Sequence, residues 1–381
     1  MRFSQIPGLH DTSRILVDAI RNDHLAHAQL FAGAEGSLAL PLALATAAYI
    51  HCEQRGDDAC GVCPACVKSL KYIHPDTYFV VPLIKTEKEV DDDQRNTILK
   101  QWRSFLVESP FGVPNDWAMV VSAGEDKKSL IIPKSESRHI VKTLALKPFE
   151  SRYKVMILWQ PELLHDSAAN GILKILEEPP PRTYFILVSY AADQLLPTIL
   201  SRTQILPVPL LDDAVIVDYL KAHHNVDDAA AKRLALLADG NLAQAIRLSE
   251  GDDEDHFDEF ISWIEACANG DVATLVLAAE AFHGLDKVRQ RNRLSFSMSM
   301  MRETLLELYG AHDIQRAQPA HLEFVRRFAP ISNLKVVQKA YDLINDGLLH
   351  LERNGSAKMI FLDLSLGISG ALRQGRAATT V

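Results

Sequence analysis

Residues 153–189 read YKVMILWQPELLHDSAANGILKILEEPPPRTYFILVS. Continuous apolar runs stand at the two ends of this segment, at 153–159 and 184–189. Between them, residues 167–178 place apolar side chains at the helical spacing i, i+3, i+4 and i+7. Continuous apolar strands joined by a helix are typical of a parallel sheet that is covered on both faces. The segment therefore predicts an α/β fold.

The same pattern extends toward the N-terminus. The further runs that we interpret as buried strands are 30–32, 78–81 and 118–121. For the helix over 167–178, Asp166 or Ser167 can serve as the N-cap, and the three prolines after Glu178 end it. Residues 85–115 are polar and then contain two prolines, which predicts an inserted helix followed by a loop.

Beyond Pro209 the strand-like runs disappear and helical patterns take over. The predicted helices are 212–222, 229–238, 242–248, 292–309, 334–354 and 358–372. The acidic run 251–255 is interpreted as a solvated linker. We therefore predict three domains: an α/β domain over 1–210, a small helical domain over 211–250 and a helical bundle over 251–381.

Composition excludes several classes of protein. The chain has 381 residues, with 49 acidic and 40 basic side chains and a formal net charge of −9. An apolar content of 48% excludes a disordered chain, and no apolar stretch reaches the about 20 residues of a membrane-spanning helix. The N-terminus lacks a signal-peptide core. We expect a cytoplasmic protein without membrane contact, and one that does not bind DNA alone through bulk charge.

Four of the five cysteines are close together, with the spacing C-x7-C-x2-C-x2-C: Cys52, Cys60, Cys63 and Cys66. Four thiolates suit tetrahedral zinc and leave no open coordination position, so we predict a structural zinc site. Coincidental or redox-active cysteines are the alternative. His74 is close enough in sequence to be a substitute ligand, whereas Cys267 lies in an apolar helical pattern and is predicted to be a buried core residue.

A loop that resembles a phosphate-binding loop follows the run 30–32. Gly33 and Gly36 stand where such a loop has its first glycines, but Leu38 replaces the third glycine, Ala39 the lysine and Leu40 the hydroxyl residue. No cation remains there to balance a triphosphate. Two glycines after a strand are also compatible with an ordinary tight turn.

The end of the strand 153–159 shows a matching loss. A nucleotide-hydrolysing site needs carboxylates at this position to hold magnesium and to orient water. Here Trp159 and Gln160 stand there, and neither supplies a carboxylate. Glu162 follows two residues later, and we expect it to lie on the wrong face.

Three motifs resemble those of the AAA+ clamp-loader subunits of bacterial DNA polymerase III. Residues 170–180, NGILKILEEPP, are similar to their NALLKxLEEPP stretch; residues 196–203, LPTILSRT, to LPxTILSRC; and residues 27–31, HAQLF, to HAYLF. The similarity is dense over 24–82 and 132–210, and the cysteine cluster lies where those subunits carry a zinc module. The resemblance implies an AAA+-like domain with an inserted zinc module at 52–66, a helical lid domain and a helical collar domain.

The departures favour the delta-prime branch, which has lost hydrolysis, over the ATP-hydrolysing branch. They are Ala39, Leu40, Trp159 and Gln160, together with Ala243 where the ATPases carry an arginine. In the resembling proteins the arginine of the SRC motif reaches the ATP of a neighbouring subunit. The resemblance therefore implies a trans-acting arginine finger at Arg202, between Ser201 and Thr203. The alternative is that Arg202 pairs with a local carboxylate such as Asp193 or is solvated.

The resemblance implies a subunit without ATPase activity that supports ATP-dependent loading of the sliding clamp onto primed DNA. Its implied partners are the clamp-loader ATPase subunits and the delta subunit, with clamp and DNA reached through the complex. Two alternatives stay open: an active clamp-loader ATPase, and a zinc-bearing DNA-binding protein. Against the second, only Arg55, Lys68 and Lys71 lie near the cysteines. The Glu177-Glu178 pair is predicted to be structural or interfacial rather than an acid–base pair.

Overall fold

The computed structural model describes residues 1–84, 91–122, 130–249, 257–317, 319–352 and 355–379. The chain divides into two compact units. The first comprises Met1–Ile216 with Gly240–Ala243, and the second comprises Val217–Asp239 with Gln244–Val381. The predicted linker at 251–255 lies outside the described residues. The division into domains at 210 and 250 remains a prediction.

A five-stranded parallel sheet forms the centre of the first unit. Its strands are β1 (Ala28–Gly33), β2 (Thr77–Val80), β5 (Lys154–Trp159), β6 (Thr183–Ser189) and β7 (Gln204–Val208), and a separate antiparallel pair consists of β3 (Leu83–Ile84) and β4 (Leu130–Ile131). The order in the sheet is β2-β5-β6-β1-β7. Trp159 pairs with Val188, and Ala32 pairs with Ser189, so β1, β5 and β6 end at one edge. The predicted parallel sheet is confirmed.

Helices cover this sheet and continue to the end of the described chain. The first eight are α1 (His10–Arg21), α2 (Ala39–His51), α3 (Pro64–Leu70), α4 (Asp92–Glu108), α5 (Pro114–Ser122), α6 (Lys134–Leu144), α7 (Asp166–Glu177) and α8 (Pro197–Leu200). Every residue of α2 is buried, because its sequence ALPLALATAAYIH is apolar on all sides. Pro41 is tolerated because it lies in the first turn of the helix.

Two local predictions are wrong. Residues 118–121, predicted as a strand, belong to α5, which starts at Pro114 and buries Trp117. A short apolar run does not distinguish a strand from a helix, and the proline at the first helical position favours the helix. The N-cap of α7 is His165, neither Asp166 nor Ser167, since the His165 Nδ1 atom accepts the Ser167 N–H at 3.1 Å.

The strand β7 was not predicted. Four of its five residues are at least partly exposed, and it contains Pro207. Among the described strands it pairs with β1 alone, and a proline is compatible with an edge strand because one side of that strand needs no ladder hydrogen bonds.

Beyond β7, every element in the described part of the chain is a helix, as predicted. These helices are α9 (Asp213–His223), α10 (Asp228–Ala238), α11 (Leu242–Ser249), α12 (Phe257–Asn269), α13 (Val272–Gly284), α14 (Lys287–Leu308), α15 (Pro319–Phe328), α16 (Leu334–Glu352) and α17 (Ala357–Thr379). Trp263, Phe282 and Phe361 are central in the core of the second unit, and Cys267 is fully buried there, as predicted. Among the described helices, none has the length and apolar character needed to cross a membrane.

Candidate functional site

Close packing within the first unit requires a glycine at two positions of the loop between β1 and α2. Gly36 has a φ of +92°, and a Cβ there would lie 2.5 Å from the Asn241 side chain. A Cβ on Gly33 would lie 2.2 Å from the Ser37 Oγ atom and 2.6 Å from the Val208 carbonyl oxygen. Because side-chain and backbone atoms of the same unit exclude a Cβ, these glycines do not by themselves indicate a bound phosphate.

The first turn of α2 carries no phosphate-binding side chain. Ala39 and Leu40, at the predicted lysine and hydroxyl positions, are 0% and 1% exposed. A helix N-terminus after a strand presents backbone N–H groups that bind phosphate in nucleotide sites. Here the Leu40 N–H interacts instead with the hydroxyl of Tyr190, which directly follows β6.

Trp159 fills the end of β5 and is fully buried. Its Nε1 atom donates to the Tyr190 hydroxyl oxygen at 3.3 Å. The Trp102 ring on α4 lies 4.9 Å from the Trp159 ring, and the Trp117 ring on α5 lies 5.0 Å from Trp102. We call Trp102, Phe105, Trp117, Trp159 and Tyr190 the aromatic cluster. This cluster occupies the strand end where a nucleotide-hydrolysing site needs carboxylates.

Gln160 and Glu162, the polar residues that follow β5, contribute no positive charge. Gln160 has a left-handed backbone and is 8% exposed. The Glu162 Oε1 atom accepts the Tyr190 N–H at 3.2 Å, so this carboxylate faces the end of β6. Burial raises the pKa of Glu162, and burial raises the pKa of Tyr190 as well, with the charges of Glu162 and Glu35 adding to the second effect. The carboxyl groups of Glu162 and Glu35 are close enough to raise the pKa of Tyr190, and their negative charge disfavours the binding of a triphosphate here.

Arg202 lies just beyond α8 and is paired within the chain. Its Nε and Nη2 atoms donate to the Glu177 Oε2 atom at 3.0 and 2.9 Å, and its Nη1 atom donates to the Thr198 carbonyl oxygen at 2.9 Å. The hydroxyls of Ser201 and Thr203 donate to carbonyls of α8. The alternative of a local ion pair is thus seen in this structure, but its partner is Glu177 and not Asp193. The role of Arg202 toward a neighbouring subunit stays a prediction.

The four clustered cysteines converge as the spacing predicts. The Sγ atoms of Cys52, Cys60, Cys63 and Cys66 all lie within 4.8 Å of one another. The N–H groups of Cys60, Cys63 and Cys66 each donate to the sulfur of the preceding cysteine in the set, at 3.3 to 3.4 Å. Convergent sulfurs with such bonds fit a metal ion, so these residues could bind a metal such as zinc.

The electrostatics of the cluster also suit a metal. The N–H groups of Val62 and Cys63 lower the pKa of the Cys60 thiol to about 6, whereas burial raises the pKa of Cys52 and of Cys66. A bound cation offsets that burial effect because it stabilises thiolates. His74 is not part of this set, since its ring stacks on His51 at 4.0 Å and its Nδ1 atom accepts the Asp76 N–H.

Comparison with known protein families identifies the first unit. A family model described as DNA polymerase III, delta subunit, matches residues 8–212, which is more than half of the chain. The chain belongs to this family. The sequence-based resemblance to delta-prime clamp-loader subunits is thereby confirmed.

Individual relatives agree with the family assignment. The chain is 27% identical over 240 residues to the DNA polymerase III subunit delta' of Bacillus subtilis, a match that covers 63% of this chain and 59% of the relative. It is 28% identical over 250 residues to the delta' subunit of Yersinia pestis, covering 65% and 56%. It is 29% identical over 120 residues to the subunit gamma of Buchnera aphidicola from Acyrthosiphon pisum, covering 30% and 33%. The matches thus span less than two thirds of these relatives.

Tyr190, which the sequence analysis did not identify, lies between the loop that follows β1 and the end of β5. Tyr190 accepts the Trp159 Nε1–H, and the Leu40 N–H is close enough to the Tyr190 hydroxyl to lower its pKa. The signal was present: Trp159 and Tyr190 close two apolar runs, and neighbouring parallel strands end at one edge. The contribution of Trp102 and Trp117 was missed as well, because Trp102 lies in the inserted segment and Trp117 directly precedes the run that was predicted as a strand.

Proposed function

We propose that this chain is a non-hydrolysing, delta-prime-like subunit of the DNA polymerase III clamp loader. In this proposal it supports ATP-dependent loading of the sliding clamp onto primed DNA, and it offers Arg202 to the nucleotide of a neighbouring ATPase subunit. It has no ATPase activity of its own. Its partners are the clamp-loader ATPase subunits and the delta subunit, and it reaches clamp and DNA through the complex.

One observation carries the non-hydrolysing part of the proposal. The Trp159 Nε1–H donates to the Tyr190 hydroxyl at 3.3 Å, and the Leu40 N–H is close enough to that hydroxyl to lower the pKa of Tyr190. Trp159 and Leu40 stand where a nucleotide site has its metal ligand and its phosphate contact. The chain's own side chains therefore fill these positions. The sequence provides no lysine in the loop and no carboxylate at Trp159 or Gln160 to replace them.

The remaining parts of the proposal follow the family assignment. The first 210 residues form the AAA+-like domain with a zinc module at 52–66, residues 211–250 form a lid, and residues 251–381 form a collar that packs against sister subunits. The convergence of Cys52, Cys60, Cys63 and Cys66 supports one structural zinc ion.

The test of this proposal is the ATPase rate of a reconstituted clamp loader that contains Arg202→Ala. Arginine fingers in other systems contribute about 10³–10⁵ in rate, so hydrolysis at the adjacent site is expected to fall below detection while the other sites continue. Arg14→Ala is the matched control, because Arg14 is also paired with a carboxylate, at 3.1 Å from Asp11. An unchanged rate with Arg202→Ala in an intact complex would exclude the finger.

A further inference from the structure

Arg202 is held on three of its nitrogen atoms. The Glu177 Oε2 atom accepts from both Nε and Nη2, and the Thr198 carbonyl oxygen accepts from Nη1. The side chain of Arg202 is 30% exposed and that of Glu177 is 58% exposed, so the pair lies at the surface. An arginine side chain at a surface is otherwise free to adopt many rotamers. Glu177 and Thr198 hold it in the one orientation seen in this structure.

This arrangement leaves part of the guanidinium for a ligand. Of the five N–H groups of an arginine, Glu177 uses one on Nε and one on Nη2, and Thr198 uses one on Nη1. One N–H remains on each terminal nitrogen, and the one on Nη1 makes only a long contact of 3.4 Å with the Ser201 Oγ atom. Phosphate oxygens can accept from these two groups without displacement of Glu177.

The support for Glu177 is itself rigid. Glu177 is the last residue of α7, and the preceding Leu176 is fully buried. The Leu176 carbonyl oxygen lies 2.9 Å from the His27 Nε2 atom, which ties the end of α7 to the start of β1. The C-terminus of a helix also carries partial negative charge, which favours a cation beside it.

We infer that Glu177 is a positioning residue for Arg202: it holds the guanidinium in one orientation, with two N–H groups available for the phosphate of a neighbouring subunit. This inference rests on the proposed function, since it presupposes that Arg202 acts in trans. Glu177 contacts neither nucleotide nor reacting atoms and acts only through Arg202. Because Glu177 already orders the Arg202 side chain, Arg202 loses less conformational entropy when hydrolysis occurs, and this lowers the activation barrier.

The experiment measures ATP hydrolysis by the reconstituted clamp loader with Glu177→Ala, Glu177→Gln, Glu177→Asp and Arg202→Ala. With Glu177→Ala, kcat at the affected site should fall by up to about thirtyfold, the factor that corresponds to the about 2 kcal/mol of arginine rotamer entropy. The KM for ATP should not change, because the finger acts in the transition state. Glu177→Gln keeps an acceptor oxygen at the same reach and should restore most of the rate, whereas the shorter Glu177→Asp should not.

Three controls separate positioning from other effects. Glu178→Ala removes the same charge from the next residue and should leave kcat unchanged. Glu177→Ala should shift the thermal unfolding midpoint by no more than about 2 °C, because exposed ion pairs contribute little to stability. In an Arg202→Ala background, Glu177→Ala should have no further effect on the rate.

The possible failures are distinguishable. If Arg202→Ala leaves hydrolysis unchanged, the finger does not exist and the inference falls with the proposed function. If Arg202→Ala slows hydrolysis but Glu177→Ala leaves it unchanged or accelerates it, the finger stands and the positioning role is wrong. An equal loss with Glu178→Ala would also overturn that role, because bulk charge would then explain it.

Discussion

The substitution Trp159→Ala tests whether the strand end is a packed core or a ligand site. Trp159 is fully buried, its ring lies 4.9 Å from Trp102, and its Nε1 atom donates to Tyr190. Replacement by alanine removes the indole and leaves a cavity between β5 and the inserted helix α4. It also leaves the Tyr190 hydroxyl without one of its donors.

The expected cost follows from this burial. Truncation of a fully buried tryptophan to alanine destabilises proteins by about 3–5 kcal/mol, because lost transfer energy and the residual cavity both contribute. The first unit has about 220 residues, and for that size each kcal/mol lowers the unfolding midpoint by about 2–4 °C. We expect the midpoint of the first unit to fall by about 6–20 °C.

The assay is thermal and denaturant unfolding of the full chain, monitored by far-ultraviolet circular dichroism with and without 1 mM Mg²⁺-ATP. For a ligand with a Kd of about 10 µM, this ATP concentration is about 100 times the Kd. Tyr309→Ala is the control, because Tyr309 is an aromatic residue that is 68% exposed, and its loss should cost less than about 0.5 kcal/mol. Nucleotide should stabilise neither the parent chain nor Trp159→Ala, since the loop of both lacks a lysine. A cost below about 1 kcal/mol for Trp159→Ala, or stabilisation of either protein by ATP, would refute the packed-core interpretation.

Three further outcomes are expected. Burial raises the pKa of Glu162, so its contribution to stability is complete below about pH 4.3 and decreases as the pH rises through the folded-state pKa. The free energy of unfolding of Glu162→Gln, compared with that of the parent chain, should therefore increase from pH 4 to pH 7 in urea titrations. A difference that stays constant with pH would contradict this. Metal analysis should find about one zinc per chain, and Cys63→Ser should lose it and unfold at a lower temperature, whereas a metal-free parent protein would show that the site is not occupied. Gly36→Ala should lower the free energy of unfolding more than Gly310→Ala does in the same assay. Both glycines have positive φ, but a Cβ at Gly36 would lie 2.5 Å from the Asn241 side chain, whereas a Cβ at Gly310 would meet no atom within 4 Å. Equal losses of stability would argue against the contact with Asn241.

The sheet could be predicted because its central strands are continuous apolar runs, and the predicted strand at 153–159 is β5 to within one residue. The run at 118–121 gave the wrong element, since a short apolar run does not separate strand from helix, and Met119 and Val120 are exposed rather than buried. The edge strand β7 contains Ile205, Leu206 and Val208, but the run is short and interrupted by Pro207, and it was not predicted. The helical character of the second unit was predictable, but no bounds were predicted for α12, α13 or α15, and α14 begins at Lys287 rather than at residue 292.

At the candidate site, the sequence showed which groups are absent but not what replaces them. Ala39 and Trp159 are informative because their positions in the motifs are known. The position of Tyr190 beside both Leu40 and Trp159 depends on strand register, which a single sequence does not provide. The pairing of Arg202 with Glu177 joins residues 25 positions apart and depends on how α7 and α8 pack. The four cysteines were the simplest case because their ligand spacing is local.

Equilibrium binding and turnover of Mg²⁺-ATP by the isolated chain test the central claim most directly. We expect no saturable binding up to 1 mM ATP and no release of phosphate above the background of the buffer. A site of about 10 µM affinity would stabilise the chain by about 2.7 kcal/mol under these conditions, which calorimetry or a thermal shift would detect. Magnesium-dependent, saturable binding of ATP, with or without hydrolysis, would contradict the claim that this chain has lost its nucleotide site.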